Sequence, residues 1–178
     1  MSKLFTVPAL LLAGLLWVSS AGATTYSITS SIDGAQETPP VITLGTGTMT
    51  GTYDDVTNVL TWSGSFTGLN SNSTNAHFHG PAAVGAGPAG VLVAMTGGTN
   101  VFPLGVTSGS FSGSATLTAT VEGHLLSGLV YVNIHSETSP GGEIRGQVFA
   151  TALPEAGTLG LLAVGLAGLA HAGRRRRA

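Results

Sequence analysis

The sequence predicts an all-β fold, a two-sheet antiparallel sandwich of Greek-key-like type, with a signal peptide before it and a hydrophobic helix after it. Two observations lead there. Short runs of alternating apolar and polar residues recur between Gly, Asn and Pro punctuation along the central part of the chain. That part is also rich in Gly, Thr, Ser and Val and poor in helix formers, and charged residues make up only 8% of the whole. Branching at Cβ suits Val and Thr to a pleated surface.

Strands are expected at Tyr26–Ser31, Gly45–Tyr53, Val59–Thr67, Ala76–His79, Val91–Met95, Ser110–Thr118, Leu125–His135 and Glu143–Ala150, eight in all and without helices. The Gly-Thr repetition of Gly45–Thr52 reads as a strand whose threonine methyls pack and whose outer face is polar. Asp54–Asn58 is the expected hairpin loop after it. In the next strand Leu60, Trp62, Gly64 and Phe66 fall on one face and Thr61, Ser63 and Ser65 on the other. Gly85–Gly90 is a flexible connection after a His-x-His strand, and His124 falls in a turn. Val130, Val132 and Ile134 share the core face of their strand, with Tyr131, Asn133 and His135 opposite. Pro140-Gly141-Gly142 is a turn, since proline fixes φ and glycine admits positive φ.

The two ends read differently. Lys3 gives a positive n-region, Val7–Val18 an apolar h-region and Ala21-Gly22-Ala23 a cleavage site, so residues 1–23 form an expected signal peptide and Thr24 the mature start. Residues 24–152 are then one β domain by length. Beyond it, Leu153-Pro154-Glu155-Ala156 precedes an apolar run, Leu159–Ala170, and the basic cluster Arg174, Arg175, Arg176 and Arg177. Such a run partitions into lipid, and arginines stay on the cytoplasmic side. Gly157–Gly173 sits at the lower edge of the roughly 17–25 residues that span a bilayer, so it would hold the chain briefly. This layout resembles the PEP-CTERM sorting signal of exported bacterial proteins, with Ala156 where that signal has its second proline. The resemblance implies export machinery and an exosortase-like membrane protease as partners of the tail at residues 153–178, a transient hold at the inner membrane, and then a cell-surface or extracellular location.

With the ends set aside, the charge balance changes. The whole chain carries six basic and eight acidic residues. The central domain keeps seven acids, Asp33, Glu37, Asp54, Asp55, Glu122, Glu137 and Glu143, against Arg145 alone, a net charge of −6. A surface so poor in cations excludes nucleic acid as a partner. No cysteine is present, which excludes thiol catalysis and thioether haem and leaves the fold to stand on its core.

Three segments hold the chemistry-bearing residues: Asn75-Ala76-His77-Phe78-His79-Gly80-Pro81, Val130-Tyr131-Val132-Asn133-Ile134-His135, and Ser139-Pro140-Gly141-Gly142-Glu143-Ile144-Arg145-Gly146-Gln147-Val148. Together with Gly34-Ala35-Gln36-Glu37-Thr38-Pro39-Pro40-Val41 they resemble the CHRD domain from about Ile28 to Val148. The resemblance implies an extracellular or envelope β module and supplies no catalytic mechanism.

From the residues themselves, His77 and His79 project from one face of a strand. If the strand of His135 lies near, the three imidazoles converge as ligands for copper or zinc, with a position left for water. The plainer alternative is that the rings hydrogen-bond neighbouring carbonyls. Arg145 needs carboxylate partners if covered; Glu143, two residues away on its face, and Glu37 are the expected ones, with anion binding as the alternative. No Ser-His-Asp spacing, paired-carboxylate motif or nucleotide fingerprint appears, so an enzyme is not indicated. Two function classes remain: a non-enzymatic binding or structural module of the envelope or extracellular matrix, and a His-ligated copper or zinc metalloprotein open to redox chemistry.

Overall fold

A computed structural model describes residues 24–154 of the protein, and Gly165 besides. The strands among them are β1 (Thr25–Asp33), β2 (Thr46–Asp54), β3 (Val59–Thr67), β4 (Ser73–His79), β5 (Val91–Ala94), β6 (Gly109–Thr116), β7 (Tyr131–Ser136), β8 (Ile144–Gln147) and β9 (Phe149–Ala152). A short helix, α1 (Ala119–Leu126), precedes β7, and a 3-10 turn, Gly34–Gln36, follows β1. Every strand pairing is antiparallel, as the alternating pattern requires. The expected signal peptide, the arginine cluster and, Gly165 apart, the expected hydrophobic helix lie outside the described residues. Among the described residues no helix is long and apolar enough to cross a membrane.

The expected two sheets are joined as one. The hydrogen-bonded order is β5-β4-β7-β8-β1-β2-β3-β6, with β9 also on β1. β1 makes the corner. Its residues Tyr26–Thr29 pair with β9, while Asp33 alone pairs with Arg145 of β8. The sheet therefore folds over on itself, sandwich-like, and its two halves meet face to face. Trp62 of β3 packs edge-on against Phe78 of β4 with ring centroids 5.0 Å apart, although these strands lie far apart in the order. Around them Ile28, Met49, Leu60, Phe66 and Phe111 of one half meet Ala76, Val132, Ile134 and Ile144 of the other. The outer face of the first half carries hydroxyls in register: Thr48 opposite Ser65 opposite Ser110, and Thr50 opposite Ser63 opposite Ser112. The Asp54–Asn58 loop turns as expected, with Asn58 at φ 56° and the Asp54 carboxylate accepting from Val56 N and Thr57 N.

Two element expectations are corrected. The strand expected from Leu125 begins at Tyr131, and the residues before it are helical. Thr118 caps that helix by accepting from Val121 N, Leu125 is its buried residue, and Gly128 at φ 68° reverses the chain after it. His124 consequently sits in the last turn of α1 rather than in a loop. The strand expected over Glu143–Ala150 is split into β8 and β9, which pair with different parts of β1.

The second half of the sheet differs from an ordinary sandwich sheet in one respect. Its outer face is polar yet covered. All of Tyr131–Ser136 and Ile144–Gln147 is buried. The register sets Asp33, Arg145, Asn133, His77 and Ala94 in one line across β1, β8, β7, β4 and β5. The next line holds Gln147, Tyr131 and His79. The segments Thr38–Leu44, Pro81–Gly90 and Ser139–Gly142 roof this polar face.

Candidate metal centre

His77 and His79 leave β4 on the same side, and His135 stands on the adjacent β7, where it pairs with Asn75. One nitrogen from each ring can be chosen so that all three lie within 4.8 Å of one another. His77 Nδ1 and His135 Nε2 are 3.1 Å apart. Two nitrogens held at about 2.0–2.1 Å by one tetrahedral ion lie about 3.3 Å apart, so the spacing suits a shared metal. The register of β4 against β5 slips between Phe78 and His79, a bulge of the kind that re-aims a side chain.

The proton on each ring follows from its neighbours. His79 Nδ1–H donates to the carbonyl of Ala89 at 3.0 Å, and His135 Nδ1–H donates to that of Pro140 at 3.0 Å. A carbonyl only accepts, so both neutral rings carry their lone pair on Nε2. His79 Nε2 is buried and has no partner. His135 Nε2 then accepts from His77 Nδ1–H, and a metal would take the place of that proton. Both carbonyls come from the roof, which orients the ligands from outside as such supporting bonds do in metal sites. Glycine is needed in the turn that carries Pro140: Gly142 sits at φ 131°, and a side chain there would run into the Asn133 amide.

Burial lowers all three imidazole pKa values below 6.5. For His77 the neighbouring rings of His135 and His79 add to the effect; for His79 the charge of Arg145 does; for His135 the ring of His79 does. Neutral rings are the ligand form. His77 is the more exposed of the three, so the cluster opens to solvent on its side.

Arg145 lies two strands away on the same face and is 2% exposed. Its guanidinium carbon sits 3.5 Å from the centroid of the Tyr131 ring, and His79 stacks on that ring at 5.1 Å and 9°. Nη1 donates to Thr38 Oγ1 at 3.2 Å, while Nη2 is buried without a partner. Of the two acids expected beside it, Glu37 is near enough for the arginine charge to act on its carboxyl. Burial nevertheless dominates and raises the Glu37 pKa from 4.5 to about 7. Glu143 is fully buried and turned to other groups. It accepts from Thr43 Oγ1 and Asn70 N, both at 2.6 Å, and from Ser136 Oγ.

A family model of the CHRD domain matches residues 28–148, well over half of the chain. The protein belongs to the CHRD family. No curated protein and no solved structure matches the chain. The matched CHRD segment takes in His77, His79, His135 and Arg145 together with their roof. His124, on α1, takes no part in the cluster.

Sequence reasoning on the CHRD chain reached the face shared by Tyr131, Asn133 and His135, but not what those residues meet. The stack of His79, Tyr131 and Arg145 is built across three strands, and the carbonyls of Ala89 and Pro140 come from loops. The one available signal was the single arginine in a segment otherwise without cations.

Proposed function

We propose that this CHRD chain is an exported envelope or matrix module that holds a divalent copper or zinc ion on His77, His79 and His135. The observation that carries the reading is the convergence of three imidazoles, one nitrogen of each within 4.8 Å of the others, with His79 Nε2 buried and unpartnered. Three imidazoles suit either metal and leave a further position for water. The expected signal peptide and the PEP-CTERM-like tail support the location. They also make export machinery and an exosortase-like protease the partners of the chain's ends.

Calorimetry with the purified protein and each metal tests the site. Copper should bind more tightly than zinc, following the Irving–Williams order. Ala at His77, His79 or His135 should weaken binding about tenfold or more, by analogy with the loss of metal-site support, and His124→Ala should leave it unchanged. Because burial keeps the rings neutral, binding should persist to below pH 6.5 before protons displace the metal. No uptake of either metal at micromolar concentration would leave the histidines as hydrogen-bonding groups of a non-enzymatic module.

A further inference from the structure

Tyr131 takes no ligand position in the histidine cluster, yet it meets His79 in two ways. It stands directly opposite His79 in the register of β7 on β4, and it is buried. The two rings lie 9° from parallel, with centroids 5.1 Å apart. The second link runs through the roof. The Tyr131 hydroxyl accepts from Ala89 N at 3.0 Å, and the carbonyl of the same Ala89 accepts from His79 Nδ1 at 3.0 Å. Ala89 thus commits both of its backbone groups to the two stacked rings, which fixes the peptide units on either side of it. It stands near the end of the Pro81–Gly90 loop. Residues Ala83–Pro88 of that loop are exposed, and Gly80 N closes its base by donating to Gly90 O at 3.1 Å.

We infer that Tyr131 is a positioning residue of the metal centre: its hydroxyl holds Ala89, and the Ala89 carbonyl keeps the proton of His79 on Nδ1 and the lone pair on Nε2. The inference rests on the metal reading of the cluster. A ring stack fixes the plane of an imidazole but not its tautomer, because a face-to-face contact is open to either one. The hydrogen bond at Nδ1 decides which nitrogen is free to bind a metal. Here the acceptor is a loop carbonyl, and it is only as steady as the loop. The anchor is the hydroxyl of a ring buried in the sheet, with the Arg145 guanidinium carbon 3.5 Å from its centroid. His135 is oriented separately, through Pro140 in the Ser139–Gly142 turn. Loss of the Tyr131 hydroxyl should therefore disturb His79 and spare His135, a distinction that a general loosening of the fold does not produce.

Tyr131→Phe is the test, since phenylalanine keeps the ring and its stack and removes the hydroxyl alone. Imidazole NMR of the metal-free protein at neutral pH, where burial keeps the rings uncharged, reads each tautomer. In the wild type His79 and His135 should both carry the proton on Nδ1. In Tyr131→Phe, His79 should become a mixture of tautomers and His135 should not change. Calorimetry with copper should find binding to the variant about tenfold weaker, as for other partners that orient metal ligands. The paramagnetic resonance spectrum of the bound copper should shift as well. An unchanged His79 tautomer in Tyr131→Phe, an equal change at His135, or unchanged copper affinity would overturn the assignment. A wild type that takes up no metal would bring down the metal reading and this assignment together. An unaffected variant of a wild type that does bind copper brings down this assignment alone.

Discussion

His79 shows how far a single residue can be read from its neighbours. Period-2 alternation already places it on the same face of β4 as His77, and the slip against β5 between Phe78 and His79 does not undo this. Its proton position depends on Ala89, in a loop whose path no periodicity encodes. The same holds for His135 and Pro140. Glu37 gives the sharper residue-scale prediction. Its pKa rises from 4.5 to about 7 in the folded protein, so the folded state binds the proton more tightly than the unfolded chain. Stability from this group is present below pH 4.5 and is lost as pH rises to about 7. Glu37→Gln should thus stabilise the protein above pH 7, by about 3 kcal/mol at most, and make no difference below pH 4.5. Urea denaturation across that range measures it; equal stability at high pH would mean that the carboxylate is well accommodated. The histidines act oppositely. Their lowered values mean that the metal-free fold loses stability as pH falls through 6.5, where the unfolded chain takes up protons first. The variant separates the two slopes.

At the scale of elements, β2 and β3 were legible because each has one apolar and one hydroxyl face. Helix α1 was not. Leu125, Leu126, Leu129 and Val130 make an apolar run that reads as the start of a strand. The opposing signals are local: a threonine cap at Thr118 and a glycine stop at Gly128. Tertiary context decides between them by burying Leu125 alone from the helix. The run from Glu143 to Ala150 was legible as extended chain, but its division into β8 and β9 follows from a corner in β1 that lies far away in sequence. The Ser139–Gly142 turn links element to site. Gly142→Ala would force a side chain at positive φ into Asn133 and to 2.6 Å from Glu37 Oε1. A cost of about 2 kcal/mol or more is expected, since backbone strain and a clash act together. The displaced turn would also shift the Pro140 carbonyl from His135. Calorimetry on the folded variant should find weaker copper binding. A variant of native stability and affinity would show that the turn yields freely.

For the whole molecule, the all-β antiparallel class follows from composition and period, whereas the joining of the halves into one sheet rests on the single Asp33–Arg145 pairing. No local pattern announces such a hinge. The sorting reading belongs at this scale too. Replacing Arg174–Arg177 with Ala, or altering Pro154 and Glu155, should leave the protein unprocessed or misplaced in its host. Fractionation and the mature mass will report it, and wild-type mass in the wild-type compartment would refute it. The strand register then fixes an orientation. Tyr26 pairs with Ala152, and Leu153 N donates to Thr25 O, so both ends of the domain leave side by side. Arg145 lies at the other end of β1, opposite Asp33. Seven residues of strand separate the two ends, about 24 Å at some 3.4 Å per residue. Were the tail to hold the domain as proposed, the domain would stand on its two ends like a post, and the histidines and the arginine would be at the top, turned towards the medium and away from whatever holds the foot.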